Sequence, residues 1–301
     1  HERVHSTALN VAVEFLNRLA EIAPTYVLVG NHDLINNSQF LTQNHWMNAL
    51  KINKNITVVD KVIEENWLGK CVMMAPFVPN GRFIEALETC EKGVHAWREA
   101  DAIFAHQEFR GVKMGSIISE HGDKWEEDSP FVITGHIHTN QTPQPNVYYP
   151  GSALQVAFGE SERNIIAEVD LNNLGRKGIV EIELGLQRKK IVYADSSSLS
   201  KIVKSLAPGG SHEKYKLKVC VDGTKEEFKA LKKTPAFKKL QKAGVKVVYK
   251  RKRATLAAEN SATVAALAGA GGEDTFTDIL ASLVLKSDSL ELKRAYSHVI
   301  N

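Results

Sequence analysis

Three short apolar segments of this chain each end abruptly in a polar, metal-capable motif, and this pattern restricts the fold more than any other feature. The segments read "YVLVGNHD" (26–33), "DAIFAH" (101–106) and "FVITGHIH" (131–138). Apolar runs of this length are typical of strands that are buried on both faces of a sheet. Helical spacing alternates with them, so the sequence predicts an α/β sandwich with helices outside the sheets.

Three helices are predicted in this first part of the chain. Residues 1–22 have helical spacing, with an apolar stripe that includes Phe15 and Ile22. Residues 38–50 are interpreted as a second helix. Residues 82–100 are interpreted as a third, with apolar side chains available to the core at Phe83, Ile84, Leu87, Val94 and Trp97.

The polar residues that end the apolar segments form a candidate metal site. In α/β proteins, ligands gather outside the carboxyl ends of the strands, so motifs at several strand ends can converge. Amide oxygens and imidazole nitrogens together suit manganese, iron or zinc. Gly30 and Gly135 precede two of the motifs and, having no Cβ, allow sharp turns and a close approach of a ligand. The candidate residues are Asn31, His32, Asp33, His106, His136 and His138.

The order of these motifs, G-N-H-D, a strand-end His and then G-H-x-H, resembles the calcineurin-like metallophosphoesterase superfamily. Within it, "HTNQTPQPNVYYPGSALQVAFGE" (138–160) is similar to the region that follows G-H-x-H in SbcD-type nucleases, the exonuclease subunits of recombination and double-strand-break repair complexes. The resemblance covers residues 1–185 well and the remainder only in layout. It implies a four-layer α/β/β/α sandwich with a small α+β cap domain and C-terminal helices.

The resemblance also implies a role for each candidate residue. Asn31, His106 and His136 would bind the second of two divalent metals, and His138 would bind the first. His32 would be the acid that faces the scissile phosphate, oriented by Asp33. The implied metals are manganese ions, with magnesium or iron as alternatives.

One part of the family pattern is missing from this chain. The family has Asp-x-His and Gly-Asp elements before the helix that precedes G-N-H-D, and they supply most ligands of the first metal. This chain starts at His1, within or just before that helix. We expect the missing strand to lie upstream, and these 301 residues alone to be a poor nuclease. A degenerate, inactive homologue is the alternative.

Charge is divided unevenly along the chain. Residues 185–253 hold 20 Lys and Arg against 5 Asp and Glu, a net charge of +15, whereas the remainder has 18 against 30, a net charge of −12. A basic module beside an acidic one is typical of proteins that meet phosphate backbones, although a solvated lysine-rich face is the simpler alternative. We predict DNA-binding residues at Lys232, Lys233, Lys238, Lys239, Lys250 and Arg251.

The same patterns predict four segments. Residues 1–184 would form the nuclease domain, 185–253 a βαβαβ cap whose second helix is bent or broken near Pro235, 254–272 an Ala/Gly-rich linker, and 273–301 two amphipathic helices that bind a partner. The resemblance implies DNA and an SbcC-type ATPase as partners, and family habit favours a homodimer.

The sequence also indicates a cellular compartment and a class of function. The chain has no run of eighteen apolar residues, so we expect no membrane span. Its three scattered cysteines are expected to be reduced, which indicates a cytoplasmic, nucleoid-associated location or, in a eukaryote, a nuclear one. We interpret the chain as a metal-dependent DNA nuclease. The alternatives are a phosphatase or small-molecule phosphodiesterase of the same superfamily, and a non-catalytic DNA-binding scaffold.

Overall fold

The computed structural model of this protein describes residues 5–115, 117–195, 198–199, 201–202, 215–251 and 284. The main helices are α1 (Ser6–Ile22), α2 (Phe83–Leu87), α3 (Lys225–Leu231) and α4 (Pro235–Lys242), with short 3-10 helices at Trp46–Ile52, Ala96–Glu99 and Arg176–Gly178. The strands, in chain order, are β1 (Thr25–Leu28), β2 (Ile56–Val59), β3 (Ile63–Trp67), β4 (Lys70–Ala75), β5 (Ala102–Ala105), β6 (Lys113–Met114), β7 (Ile117–Ile118), β8 (Phe131–Thr134), β9 (Gln141–Gln144), β10 (Val147–Tyr149), β11 (Ile166–Val169), β12 (Ile179–Ile182), β13 (Arg188–Asp195), β14 (Tyr215–Gly223) and β15 (Lys246–Arg251).

A six-stranded mixed sheet has the order β3-β4-β5-β8-β10-β9. The four inner strands are parallel to one another, whereas the edge strands β3 and β9 run antiparallel to their neighbours. Strands β5 and β8 are buried along almost their whole length, as their apolar runs predict. Strands β1 and β2 form a separate parallel pair. The α/β class is therefore confirmed, and the four-layer arrangement stays a prediction.

Helix α1 packs on its neighbours through a different face from the apolar stripe seen in the sequence. Ala20 is buried, and Val13 and Leu16 are partly buried in the cluster that also contains residues of β2. In contrast, Phe15 is 59% exposed and Ile22 is 83% exposed. The stripe therefore lies on the outer side of the helix, away from the described core.

The helix predicted over residues 38–50 is wrong over most of its length. Only a 3-10 helix at Trp46–Ile52 forms, after a stretch of turns. The Ser38 N–H and hydroxyl both donate to Asn36 Oδ1, at 2.9 and 2.7 Å. Such local side-chain bonds offer the backbone an alternative to helical hydrogen bonds, which accounts for the difference.

The helix predicted over residues 82–100 is also shorter than expected. Helix α2 ends at Leu87, and the chain resumes a helical turn only at Ala96–Glu99. Gly93 between them has a left-handed backbone with a φ of 110°, which a continuous helix cannot contain. Val94 is consequently 66% exposed, and not in the core as predicted.

The basic segment forms a three-stranded parallel sheet in the order β13-β14-β15, with α3 and α4 in the connection from β14 to β15. The predicted helix break is present, because Thr234 caps α4 by accepting the Phe237 N–H and Pro235 occupies the first turn. The predicted helix after β13 is described only in part. The domain boundaries at 184 and 253 stay predictions.

The predicted linker at 254–272 lies outside the described residues, and so does the predicted partner-binding segment at 273–301 apart from the buried Val284. Among the described helices, none is both long and apolar enough to cross a membrane.

Candidate metal centre and active site

Three residues from separate strand ends meet at one point of the structure. Asn31 follows β1, His106 follows β5, and His136 comes two residues after β8. Asn31 Oδ1 lies 3.2 Å from His106 Nε2 and 3.3 Å from His136 Nδ1. The structure therefore brings together the three residues that were predicted to share one metal.

The imidazole of His106 fits against two glycines. A Cβ on Gly30 would lie 2.9 Å from the ring, and a Cβ on Gly135 would lie 2.8 Å from His106 Nδ1. Contacts under 3.0 Å do not occur for real Cβ atoms, so neither position has room for a larger residue. The two glycines of G-N-H-D and G-H-I-H thus make space for an imidazole that arrives from a third strand.

Replacing Gly135 with alanine should destabilise the protein by about 1–3 kcal/mol, because the added methyl group overpacks against His106. Gly135 has no left-handed backbone, so the ring contact is the main cost. Guanidinium unfolding of Gly135→Ala, His106→Ala and the double variant would measure it. In the His106→Ala background the same substitution should cost less than about 0.5 kcal/mol. An equal cost in both backgrounds would contradict this account.

His136 is held in an unusual conformation. Its backbone φ is 78°, a left-handed value that few non-glycine residues adopt and that is concentrated at functional sites. The ring of Phe77 stacks on the His136 ring, with centroids 5.7 Å apart, and meets His106 edge-on at 6.4 Å. His136 Nε2, on the side away from Asn31, lies 3.7 Å from Glu108 Oε2.

His138 is exposed, and a carboxylate fixes its ring. Its Nδ1 lies 2.9 Å from Glu160 Oε1, while Glu160 Oε2 accepts the backbone N–H groups of Val156 and Ala157 at 2.6 and 2.8 Å. Burial works against ionisation of Glu160, but the hydrogen bonds from Ala157, His138 and Val156 prevail and lower its pKa. The Phe-Gly-Glu element of the sequence thus orients the second histidine of G-H-I-H.

His32 is exposed at the tip of the turn that follows β1, and Asp33 braces this turn. Asp33 Oδ2 accepts the Gly30 N–H at 2.8 Å, and its Oδ1 accepts the indole N–H of Trp46 at the same distance. The predicted orienting action of Asp33 on His32 stays a prediction.

Burial keeps the central imidazoles uncharged. It lowers the pKa of His106 to about 3, and the charges of His136, His32 and His138 act in the same direction. Burial also lowers the pKa of His136, opposed by the Glu108 carboxylate and reinforced by His32 and His138. Both rings therefore present nitrogen lone pairs at neutral pH.

The three converging atoms fit a divalent transition metal. Ligand atoms about 2.1 Å from a metal, at angles of about 90–110°, are about 3.0–3.4 Å apart, and the distances from Asn31 Oδ1 to the two imidazole nitrogens lie in this range. One amide oxygen and two neutral imidazoles suit manganese, iron or zinc. No three His, Cys, Asp or Glu side chains within the described part of the chain form such a group by themselves, so the set depends on Asn31.

Some residues of the site were missed by the sequence reasoning. Phe77 was not predicted as a site residue, although it follows β4, which is parallel to β5 in the six-stranded sheet. Glu108 and Glu160 carried a usable signal, since acidic residues near two predicted metal-binding histidines are common partners for the second ring nitrogen. Trp46 had no signal, because its contact with Asp33 depends on the path of the preceding loop.

The predicted DNA-binding residues lie on different parts of the basic segment. Four are exposed lysines on and around α3 and α4: Lys232, Lys233, Lys238 and Lys239. Lys250 is exposed on β15, with its Nζ 4.7 Å from the ring centroid of Tyr193. Arg251 ends β15, and its side chain lies outside the described part of the structure.

The fold and the site together define an α/β protein with a candidate metal centre at the carboxyl edge of its strands. No family model matches the chain. It is 39% identical over 297 residues to "Putative phosphoesterase 078R" of Invertebrate iridescent virus 3, an alignment that covers 97% of this chain and 81% of the relative. It is 43% identical over 236 residues to "Putative phosphoesterase 244L" of Invertebrate iridescent virus 6, covering 77% of this chain and 81% of the relative. The chain belongs to the family of these viral phosphoesterases.

Proposed function

We propose that this protein is a metal-dependent phosphodiesterase that cleaves DNA, a nuclease of SbcD type. The observation that carries the proposal is the convergence of Asn31 Oδ1 with one nitrogen each of His106 and His136, in a chain related to named phosphoesterases. Asn31, His106 and His136 would hold one divalent ion, and His138 would contribute to a second. Manganese is the proposed metal, with magnesium or iron as alternatives.

Bound divalent ions would polarise the phosphoryl oxygens and make a nucleophilic hydroxide available near neutral pH. His32 would protonate the leaving group. As hydroxide attacks phosphorus, the bond to the leaving oxygen breaks, and His32 gives the proton of a ring nitrogen to that oxygen. An exposed position at the tip of the turn allows His32 to reach a phosphate in solution.

Glu108 and Glu160 would position two of the ligands. Each carboxylate faces the ring nitrogen that the proposed metal does not use, at 3.7 Å from His136 Nε2 and 2.9 Å from His138 Nδ1. A carboxylate in this place fixes the tautomer and the ring orientation of a metal-binding histidine. The remaining nitrogen, Nδ1 of His136 and Nε2 of His138, is then the one free to bind metal.

The charge of the chain supports DNA as the substrate in preference to a small phosphoester. A net charge of +15 over residues 185–253 suits a polyanion, because each neutralised phosphate releases bound counterions and adds affinity. A small cyclic or monoester substrate needs no such surface. The names of the viral relatives specify phosphoester chemistry and no substrate.

Substrate preference would test the proposal. With manganese present, the 301 residues should hydrolyse linear duplex DNA at least about tenfold faster than a cyclic nucleotide or a phosphopeptide at equal phosphate concentration, even though their absolute rate is expected to be low. His136→Ala should abolish hydrolysis and retain DNA binding, because it removes a ligand and leaves the basic segment intact. Preference for the small esters would favour a small-molecule phosphodiesterase. DNA binding with no hydrolysis in the unaltered protein would favour a non-catalytic scaffold.

A further inference from the structure

The sheet β13-β14-β15 has one face packed by helices. Leu217, Val219 and Val221 of β14 share a buried cluster with Leu231 of α3 and Leu240 of α4. Because successive side chains of a strand point to opposite faces, the intervening residues of β14 point to the other side of the sheet.

That other side carries a compact group of lysines. Lys216 and Lys218 lie on the central strand β14; Lys216 pairs in register with Lys189 of β13, and Lys218 with Lys246 of β15. Lys216 and Lys246 are exposed, and Lys218 is half-buried. We call Lys189, Lys216, Lys218 and Lys246 the lysine face.

The pairing of these lysines across neighbouring strands is electrostatically unfavourable. Like charges opposite each other on neighbouring strands are destabilising. In the described part of the chain, no ion pair within 4.0 Å involves a member of the lysine face. Four aligned cations that form no ion pair with the described residues are suited to an anionic ligand, which would supply the opposite charge.

The lysine face contacts the loop that leads to Glu160, the partner of His138. Lys189 Nζ donates to the Val156 carbonyl at 2.6 Å, and Lys218 Nζ lies 5.8 Å from the ring centroid of Phe158. Val156 and Phe158 belong to the loop that ends at Glu160, whose carboxylate holds His138. The lysine face therefore begins one loop away from a residue of the proposed site.

We infer that the lysine face binds the phosphate backbone of the DNA substrate, beside the loop that leads to the candidate metal centre. The inference rests on the proposed function and assigns the binding surface within it. It replaces the prediction from sequence for four residues, because Lys232, Lys233, Lys238 and Lys239 accompany the helices on the opposite side of the sheet. Those lysines are then a solvated helical surface.

A pair of matched charge reversals separates the two surfaces. Lys216→Glu/Lys246→Glu alters two exposed lysines of the lysine face, and Lys232→Glu/Lys239→Glu makes the same charge change on the helical side. Binding to fluorescein-labelled duplex DNA would be measured by anisotropy in EDTA, so that no cleavage occurs. The first variant should weaken binding at least about tenfold and reduce the slope of log K against log salt by about 2, and the second should weaken it less than about threefold.

The outcomes are distinguishable from those of the proposed function. Equal weakening by both variants, or weakening by the helical variant alone, would overturn the inference and leave the nuclease proposal standing. A second outcome is that the unaltered protein binds DNA, the two charge-reversal variants differ as expected, and no DNA is cleaved with manganese. This result would overturn the nuclease proposal and support the lysine face as the DNA-binding surface. Lys216→Gln/Lys246→Gln, with an unchanged thermal unfolding midpoint, serves as the folding check and should show about half the change in log K.

Discussion

Replacing His32 with glutamine should lower the turnover of phosphodiester hydrolysis by about 10²–10⁴-fold. Glutamine is similar in reach to histidine and cannot give a proton to the leaving oxygen. The three converging ligand atoms belong to Asn31, His106 and His136, so metal affinity should change little. The expected pattern is a large loss of kcat with metal binding retained.

Manganese titration by calorimetry and turnover on linear DNA would measure the two effects separately in the full chain. His95→Gln is a matched control, because His95 is also exposed and lies in a different part of the chain, paired with Glu88. It should retain normal turnover. A His32→Gln protein that cut DNA at the normal rate would remove His32 from the chemistry.

Replacing Gln107 with leucine should destabilise the protein by about 3 kcal/mol, because it leaves buried polar groups without partners. Gln107 is fully buried, and its side-chain amide donates to the Val78 carbonyl at 3.0 Å and to Asp123 Oδ2 at 2.7 Å. Its Oε1 also accepts the Val78 N–H at 3.3 Å. Leucine fills a similar volume, so lost hydrogen bonding accounts for most of the expected change.

Guanidinium unfolding of Gln107→Leu would give the free energy directly. Gln241→Leu is the matched control, since Gln241 is exposed on α4 and should change stability by less than about 0.5 kcal/mol. Gln107 immediately follows His106, so its network also supports the position of that ligand. A loss below about 0.5 kcal/mol for Gln107→Leu would show that the network is dispensable for stability.

The sequence was most informative where one local pattern decides the structure. The apolar runs before Gly30, His106 and Gly135 predicted three buried strands; β5 and β8 are buried, whereas β1 is only half-buried. Their polar ends include the three residues that the structure brings together. An apolar run and the polar turn that follows it span only a few neighbouring residues, so the sequence alone can reveal both. The break before α4 was predicted for the same reason, because proline cannot continue a helix.

The parts that were missed depend on contacts between distant segments. The apolar stripe of α1 predicted the helix but not which of its faces is buried. The buried face is set by the residues that pack against Val13, Leu16 and Ala20. Strand β3 was not predicted, because its polar sequence becomes a strand only through antiparallel pairing with β4. Likewise, nothing in the sequence near Phe77 indicates that its ring will stack on His136.

The candidate centre draws its ligand atoms from two separate sheets. Asn31 follows β1 of the two-stranded sheet, whereas His106 and His136 follow strands of the six-stranded sheet. A metal held by all three would act as a cross-link between the sheets. At a free metal concentration 100 times its Kd, this link would add about 2.7 kcal/mol to stability. Binding of the metal and association of the two sheets are thermodynamically coupled, and the coupling is reciprocal. A substitution that favours separation of the sheets should therefore also weaken metal binding, because the same coupling free energy acts in both directions.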